Sequence, residues 1–113
     1  MGFKQFLKVT LKMNSSCYGT VTGSGFAGCY VGPATKNGEQ ALEIYGTALK
    51  ESYIFSRDDI ANITNNGNSV EKSARGAMTS VTKYTLKMKD GKTIICSIDQ
   101  NGPLHGNFEA RVF

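Results

Sequence analysis

The sequence predicts a mainly β domain, an antiparallel partial barrel of about seven strands with a short N-terminal helix. Three observations lead there. Apolar and polar residues alternate in segment after segment, which is the period of a half-buried strand. Turn chemistry rests on glycine and asparagine, with 13 glycines against 2 prolines and with the pairs Asn37-Gly38 and Asp90-Gly91. A chain of 113 residues, 40% of them hydrophobic, makes one core and not two. Residues 1–113 are therefore read as one domain, in which 1–25 form an N-terminal amphipathic segment and a Gly/Ser-rich connector.

Residues 3–13 satisfy two periods. As a helix, Phe3, Phe6, Leu7 and Leu11 form a stripe while Lys4, Lys8 and Lys12 align at i, i+4; as a strand, Leu7, Val9, Leu11 and Met13 alternate with Lys8, Thr10 and Lys12. Phe3 and Phe6 fit only the helical period, so the helix is chosen. Such a helix closes one end of a barrel, or lies on an anionic membrane through its three lysines. Residues 14–25 read as a flexible connector.

Strands follow. Phe26–Val31 runs to Gly32-Pro33 and the Asn37-Gly38 turn, Gln40–Tyr45 ends at Gly46, and Glu51–Phe55 returns. Asp59–Thr64 stops at the turn cluster Asn65-Asn66-Gly67-Asn68. Ser69–Ser80 shows neither period and fits a loop, a short helix capped by Ser69, or an irregular strand. Val81–Lys89 and Lys92–Asp99 make the clearest hairpin. Phe108, Ala110 and Val112 alternate with Glu109 and Arg111 as a last short strand.

The hairpin's register follows from its pattern. Tyr84, Leu86 and Met88 form one apolar face, and Ile94, Cys96 and Ile98 the other. A two-residue Asp90-Gly91 loop sets Leu86 opposite Ile95. A three-residue Lys89-Asp90-Gly91 loop, with Gly91 left-handed, sets Leu86 opposite Ile94 and Tyr84 opposite Cys96. Only the second register joins the two apolar faces, and a one-residue slip would scatter them.

The residues that usually carry chemistry are sparse. Lys+Arg 13 against Asp+Glu 9 gives a net charge of +4, a diffuse excess whose nearest approach to a cluster is Lys83, Lys87, Lys89 and Lys92. Lysines at that spacing suit a solvated strand face that resists edge pairing. Cys17, Cys29 and Cys96 are widely spaced, and His105 is the one histidine, so no structural zinc site is expected. The thiols read as small apolar residues in a reducing cytoplasm. Gly23, Gly25 and Gly28 spell a dinucleotide fingerprint, but Cys29-Tyr30-Val31-Gly32-Pro33 follows where a phosphate-binding helix would be needed, so a glycine-rich strand entry is expected. Asp58 and Asp59 sit in a Ser56-Arg57-Asp58-Asp59 turn or cap, with Ser56 and Asp58 holding backbone amides. His105 is expected in a surface loop. No cofactor, metal or catalytic residue is assigned. The first thirteen residues hold no apolar run of signal or membrane-spanning length, so a cytoplasmic location is expected.

Two stretches, ALEIYGTALKESYIFSRDDIANI (41–63) and YTLKMKDGKTIICSID (84–99), resemble the bacterial pleckstrin-homology-like (PH-like) domains. In that family a short strand, a reversal, a "Y-x-F-S-x-x-D-I" entry and a later "L-K-x-K-D-G-K" hairpin follow in this order. The resemblance implies a strongly bent antiparallel sandwich or partial barrel, used for binding or membrane recruitment without catalysis. Two features depart from the pattern. Family members close one barrel end with a C-terminal helix, for which His105–Phe113 is short, leaving the job to the N-terminal segment. Phosphoinositide-binding members carry several basic residues around the first hairpin loop, where Gly32–Gln40 offers only Lys36.

The functional expectation is a non-catalytic module with a protein partner, with a membrane surface reached through Lys4, Lys8 and Lys12 as the lesser option and self-association left open. The rival is an OB-like binder of single-stranded nucleic acid using Lys83, Lys87 and Lys89 with aromatic stacking platforms. Against it, Tyr84 shares the apolar face of Leu86. A third reading, a small-molecule enzyme, requires His105 beside a cysteine or an aspartate.

Overall fold

The computed structural model describes residues 17–47, 49–72, 76–100 and 104–113. Seven antiparallel strands form one open sheet: β1 (Gly19–Gly23), β2 (Cys29–Lys36), β3 (Glu39–Tyr45), β4 (Tyr53–Phe55), β5 (Ile60–Lys72), β6 (Met78–Met88) and β7 (Thr93–Asp99). A 3-10 turn at Arg57–Asp59 joins β4 to β5, and a C-terminal helix, α1 (Leu104–Val112), follows β7. The strand order is β4-β3-β2-β1-β7-β6-β5, so two meanders meet where β1 pairs with β7, and β4 and β5 are the free margins. The expected N-terminal helix, with Lys4, Lys8 and Lys12, lies outside the described residues.

One face of the sheet closes on the core. Val31, Leu42, Ile44, Tyr84, Leu86, Ile94, Cys96 and Ile98 are fully buried, and Phe55 and Val21 nearly so. The β6–β7 hairpin has the register its pattern demands, Leu86 opposite Ile94 and Tyr84 opposite Cys96. Its three-residue loop closes through Met88 N–H donating to Lys92 O and Gly91 N–H donating to Met88 O, with Gly91 at φ +94°. The β2–β3 hairpin turns on Asn37 (φ +54°) and Gly38 (φ +80°), with Lys36 opposite Glu39, as a two-residue primed turn requires.

Four assignments are corrected. The connector expected over 14–25 contains β1, which lies at the centre of the sheet and pairs through Gly19 with both Val31 and Ile98. Strand β2 runs on through Gly32-Pro33 to Lys36; Pro33 is tolerated because β1 pairs only with Cys29–Val31, so the rest of β2 has a single neighbour. The cluster at 65–68 bends strand β5 without ending it: pairing jumps from Asn65 to Asn68, Gly67 takes φ +91°, and the strand continues to Lys72. Of the readings for Ser69–Ser80, the strand holds at both ends, Ser69–Lys72 in β5 and Met78–Ser80 in β6.

The fourth correction is the C-terminus. Phe108 and Val112 are buried while Ala110 between them is exposed, which is the i, i+4 geometry of a helix and not strand alternation. Nine residues make a marginal helix in isolation, so tertiary anchors hold it. Arg111 Nη1 donates to Ala34 O (2.9 Å) and Ala41 O (3.0 Å), Arg57 Nη2 to Ala110 O (3.3 Å), and Tyr84 Oη to Glu109 Oε2 (3.0 Å). The Phe108 ring lies 5.1 Å from that of Tyr84.

Candidate functional site

The four lysines singled out in the β6–β7 hairpin do not form one free basic surface. Lys83 pairs with Glu71 across the β5–β6 arm (2.5 Å), which together with a Ser97 hydrogen bond holds the Glu71 carboxyl below its ordinary range. Lys92 reaches back to Asp90 (3.3 Å) and lies 5.5 Å above the Tyr53 ring. Lys87 is exposed opposite Thr93, and Lys89 N–H donates to Asp59 O at the hairpin tip. Tyr84, the aromatic a nucleic-acid platform would need beside them, is fully buried.

Tyr53 Oη donates to Asp90 Oδ2 (3.1 Å), tying β4 to the β6–β7 tip. Burial first, then that carboxylate, push the Tyr53 hydroxyl up to about 12. Burial, followed by the Glu109 bond, likewise raises Tyr84. These are structural contacts in which a phenol is kept neutral.

The remaining candidate groups are structural too. Cys29 and Cys96 are buried free thiols, both shifted upward by desolvation, Cys96 to about 12, so neither is a ready thiolate. Cys17 is half-buried and donates to Gly19 O. Gly23, Gly25 and Gly28 all take positive φ in the turn that leads into β2. The 56–59 segment is a cap, but the carboxylate in it is that of Asp59 and not Asp58. It accepts from Ser56 N–H (2.9 Å) and from Lys36 Nζ (2.7 Å), and the two hold its carboxyl below the usual range. His105 falls in the first turn of α1 and not in a loop. Among the described residues no three His, Cys, Asp or Glu side chains gather to hold a metal ion, and no helix is long and apolar enough to cross a membrane.

Two surface features are left. An open groove of about 560 Å³ runs between the β5–β6 arm and the outer face of β1, bordered by Thr20, Tyr30, Glu71, Val81 and Ser97. The second is the edge of β5, 13 residues long against three for β4 at the opposite margin. An edge strand offers unpaired backbone donors and acceptors along its length. From Ile60 to Val70 this one carries no charged side chain and no proline, the usual guards, and Val70 is 60% exposed. Its irregularity is confined to pairing jumps at 60–62 and 65–68. The uncharged run was visible in the sequence, but the asparagine cluster read as a turn and hid the strand that contains it.

No protein-family model, curated protein or solved structure matches this chain.

Proposed function

We propose that the chain is a non-catalytic interaction module of the PH-like type, binding a partner protein by accepting an extended segment of it along β5. The observation that carries the reading is the long β5 edge, uncharged and proline-free from Ile60 to Val70, in a sheet whose other margin is only three residues. An added strand would satisfy the edge's backbone groups, and the exposed side chains of Thr64 and Val70 would select it. The PH-like assignment draws support from the seven-stranded antiparallel sheet and from α1, the C-terminal helix that the family uses to close one barrel end.

The test is residue-specific photo-crosslinking in lysate from the native host. A probe at Thr64 or Val70 should label the partner, and one at Thr22, exposed on β1, should not. Asn62→Lys, which charges the edge, should abolish the labelling at Val70 without changing the fold. Labelling at Thr22 alone, or labelling at Val70 that survives Asn62→Lys, refutes it.

A further inference from the structure

Two Asn-Gly pairs are described, Asn37-Gly38 in the β2–β3 turn and Asn66-Gly67 in the β5 bulge. Glycine after asparagine leaves the following peptide nitrogen unshielded. That nitrogen can lose its proton to hydroxide and attack the side-chain carbonyl carbon. Ammonia leaves, a five-membered succinimide closes, and water reopens it to aspartate or isoaspartate. Sterics do not separate the two sites, since all four residues are exposed and a Cβ on either glycine would meet nothing within 4 Å.

Hydrogen bonding does separate them. Gly67 N–H, the nucleophile's nitrogen, donates to Asn65 Oδ1 (2.8 Å), and Asn66 Nδ2, the leaving group, donates to Thr85 Oγ1 (2.6 Å). Both reacting groups at 66–67 are held, and each bond must break before ring closure. Among the described residues, neither the Asn37 side chain nor Gly38 N–H has such a partner.

We propose that Asn37 is a site of spontaneous deamidation, and that Asn65 and Thr85 are positioned to protect Asn66 from the same reaction. Conversion at position 37 would place a new carboxylate next to Lys36, in competition with Asp59 at 2.7 Å. The isoaspartate product adds a backbone carbon to a two-residue turn. That turn joins the strands whose Ala34 and Ala41 carbonyls hold Arg111, so the modification would loosen α1.

The experiment is incubation of the folded protein at mildly alkaline pH, with peptide mapping and enzymatic isoaspartate labelling of both sites over time. Position 37 should convert roughly tenfold faster than position 66, and in denaturant the two should converge. Asn65→Ala and Thr85→Val should each speed position 66 by roughly fivefold and leave position 37 unchanged. Position 37 is the internal control, because a variant that merely unfolds accelerates both. Conversion at 66 matching or exceeding that at 37 in the native protein overturns the proposal. So does a rate at 66 indifferent to both substitutions.

Discussion

Gly19→Ala is the sharpest perturbation the fold offers. Gly19 is paired on both sides, with Val31 and Ile98, at the join of the two meanders. A Cβ there would sit 1.9 Å from Ser97 O and 2.9 Å from its carbonyl carbon, against roughly 3.5 Å for ordinary contact. Both obstacles are backbone, so no rotamer relieves them, and β1 and β7 would have to part by roughly 1.5 Å. Ladder hydrogen bonds cannot survive that separation, and each is worth about 1 kcal/mol net. Losing two or three, with overpacking strain, costs about 2–4 kcal/mol, or about 10–20 °C in Tm. Urea unfolding followed by far-ultraviolet dichroism and tyrosine fluorescence reads this directly, since the chain has 5 tyrosines and no tryptophan. The midpoint should fall with the m-value unchanged. Gly25→Ala is the control: φ is +88° but the space is open, so backbone strain alone costs about 1 kcal/mol. A Gly19→Ala protein within about 0.5 kcal/mol of the parent would refute the central placement of β1.

Gly91→Val should cost about 1–3 kcal/mol through the positive φ alone, because the space around Gly91 is open; an unchanged Tm would remove the three-residue loop. Phe108→Ala should cost about 3–5 kcal/mol and Tyr84→Phe about 1 kcal/mol, both measured by chemical denaturation. In each, amide exchange should rise first in α1, which Phe108 and the Tyr84 hydroxyl anchor. The Asp59 carboxyl is held low in the fold, so its contribution is complete above the unfolded-state pKa near ~4 and is lost as pH falls through the native value. Asp59→Asn should therefore cost about 0.5–1 kcal/mol at neutral pH, the pair being a third exposed, and should flatten the acid limb of the stability–pH curve. An acid limb unchanged by that substitution would contradict the pairing.

What was legible in the sequence was whatever local pattern alone decides. The β6–β7 register was, because three apolar residues on each arm and an Asp-Gly pair allow one alignment. Strand β1 was not: Val21 is its one large inward residue, and the requirement for glycine at 19 comes from a neighbouring backbone that hydropathy does not record. In the C-terminal run the alternation of Phe108, Ala110 and Val112 reads as a strand, and the helix is held by distant groups, Arg111 on the β2–β3 hairpin and Glu109 on Tyr84. The lysines of the candidate site were visible as a set, and Asp90 stands two residues before Lys92 in the chain, yet Glu71 becomes a neighbour of Lys83 only through the fold. The exposed margin at β5 depends on strand order, which no local window contains.

The join of β1 to β7 has a consequence for how the molecule is made. The strands β1 to β4 emerge from the ribosome as a contiguous meander able to form its own hairpins. Its first strand then waits with one side bare until some seventy residues later, when Thr93–Asp99 appears. Closing so long a loop is slow, and a nascent chain stalled before that point would present a sticky ribbon to its neighbours on the polysome. A fragment that ends before β7 leaves β1 without one of its two neighbours.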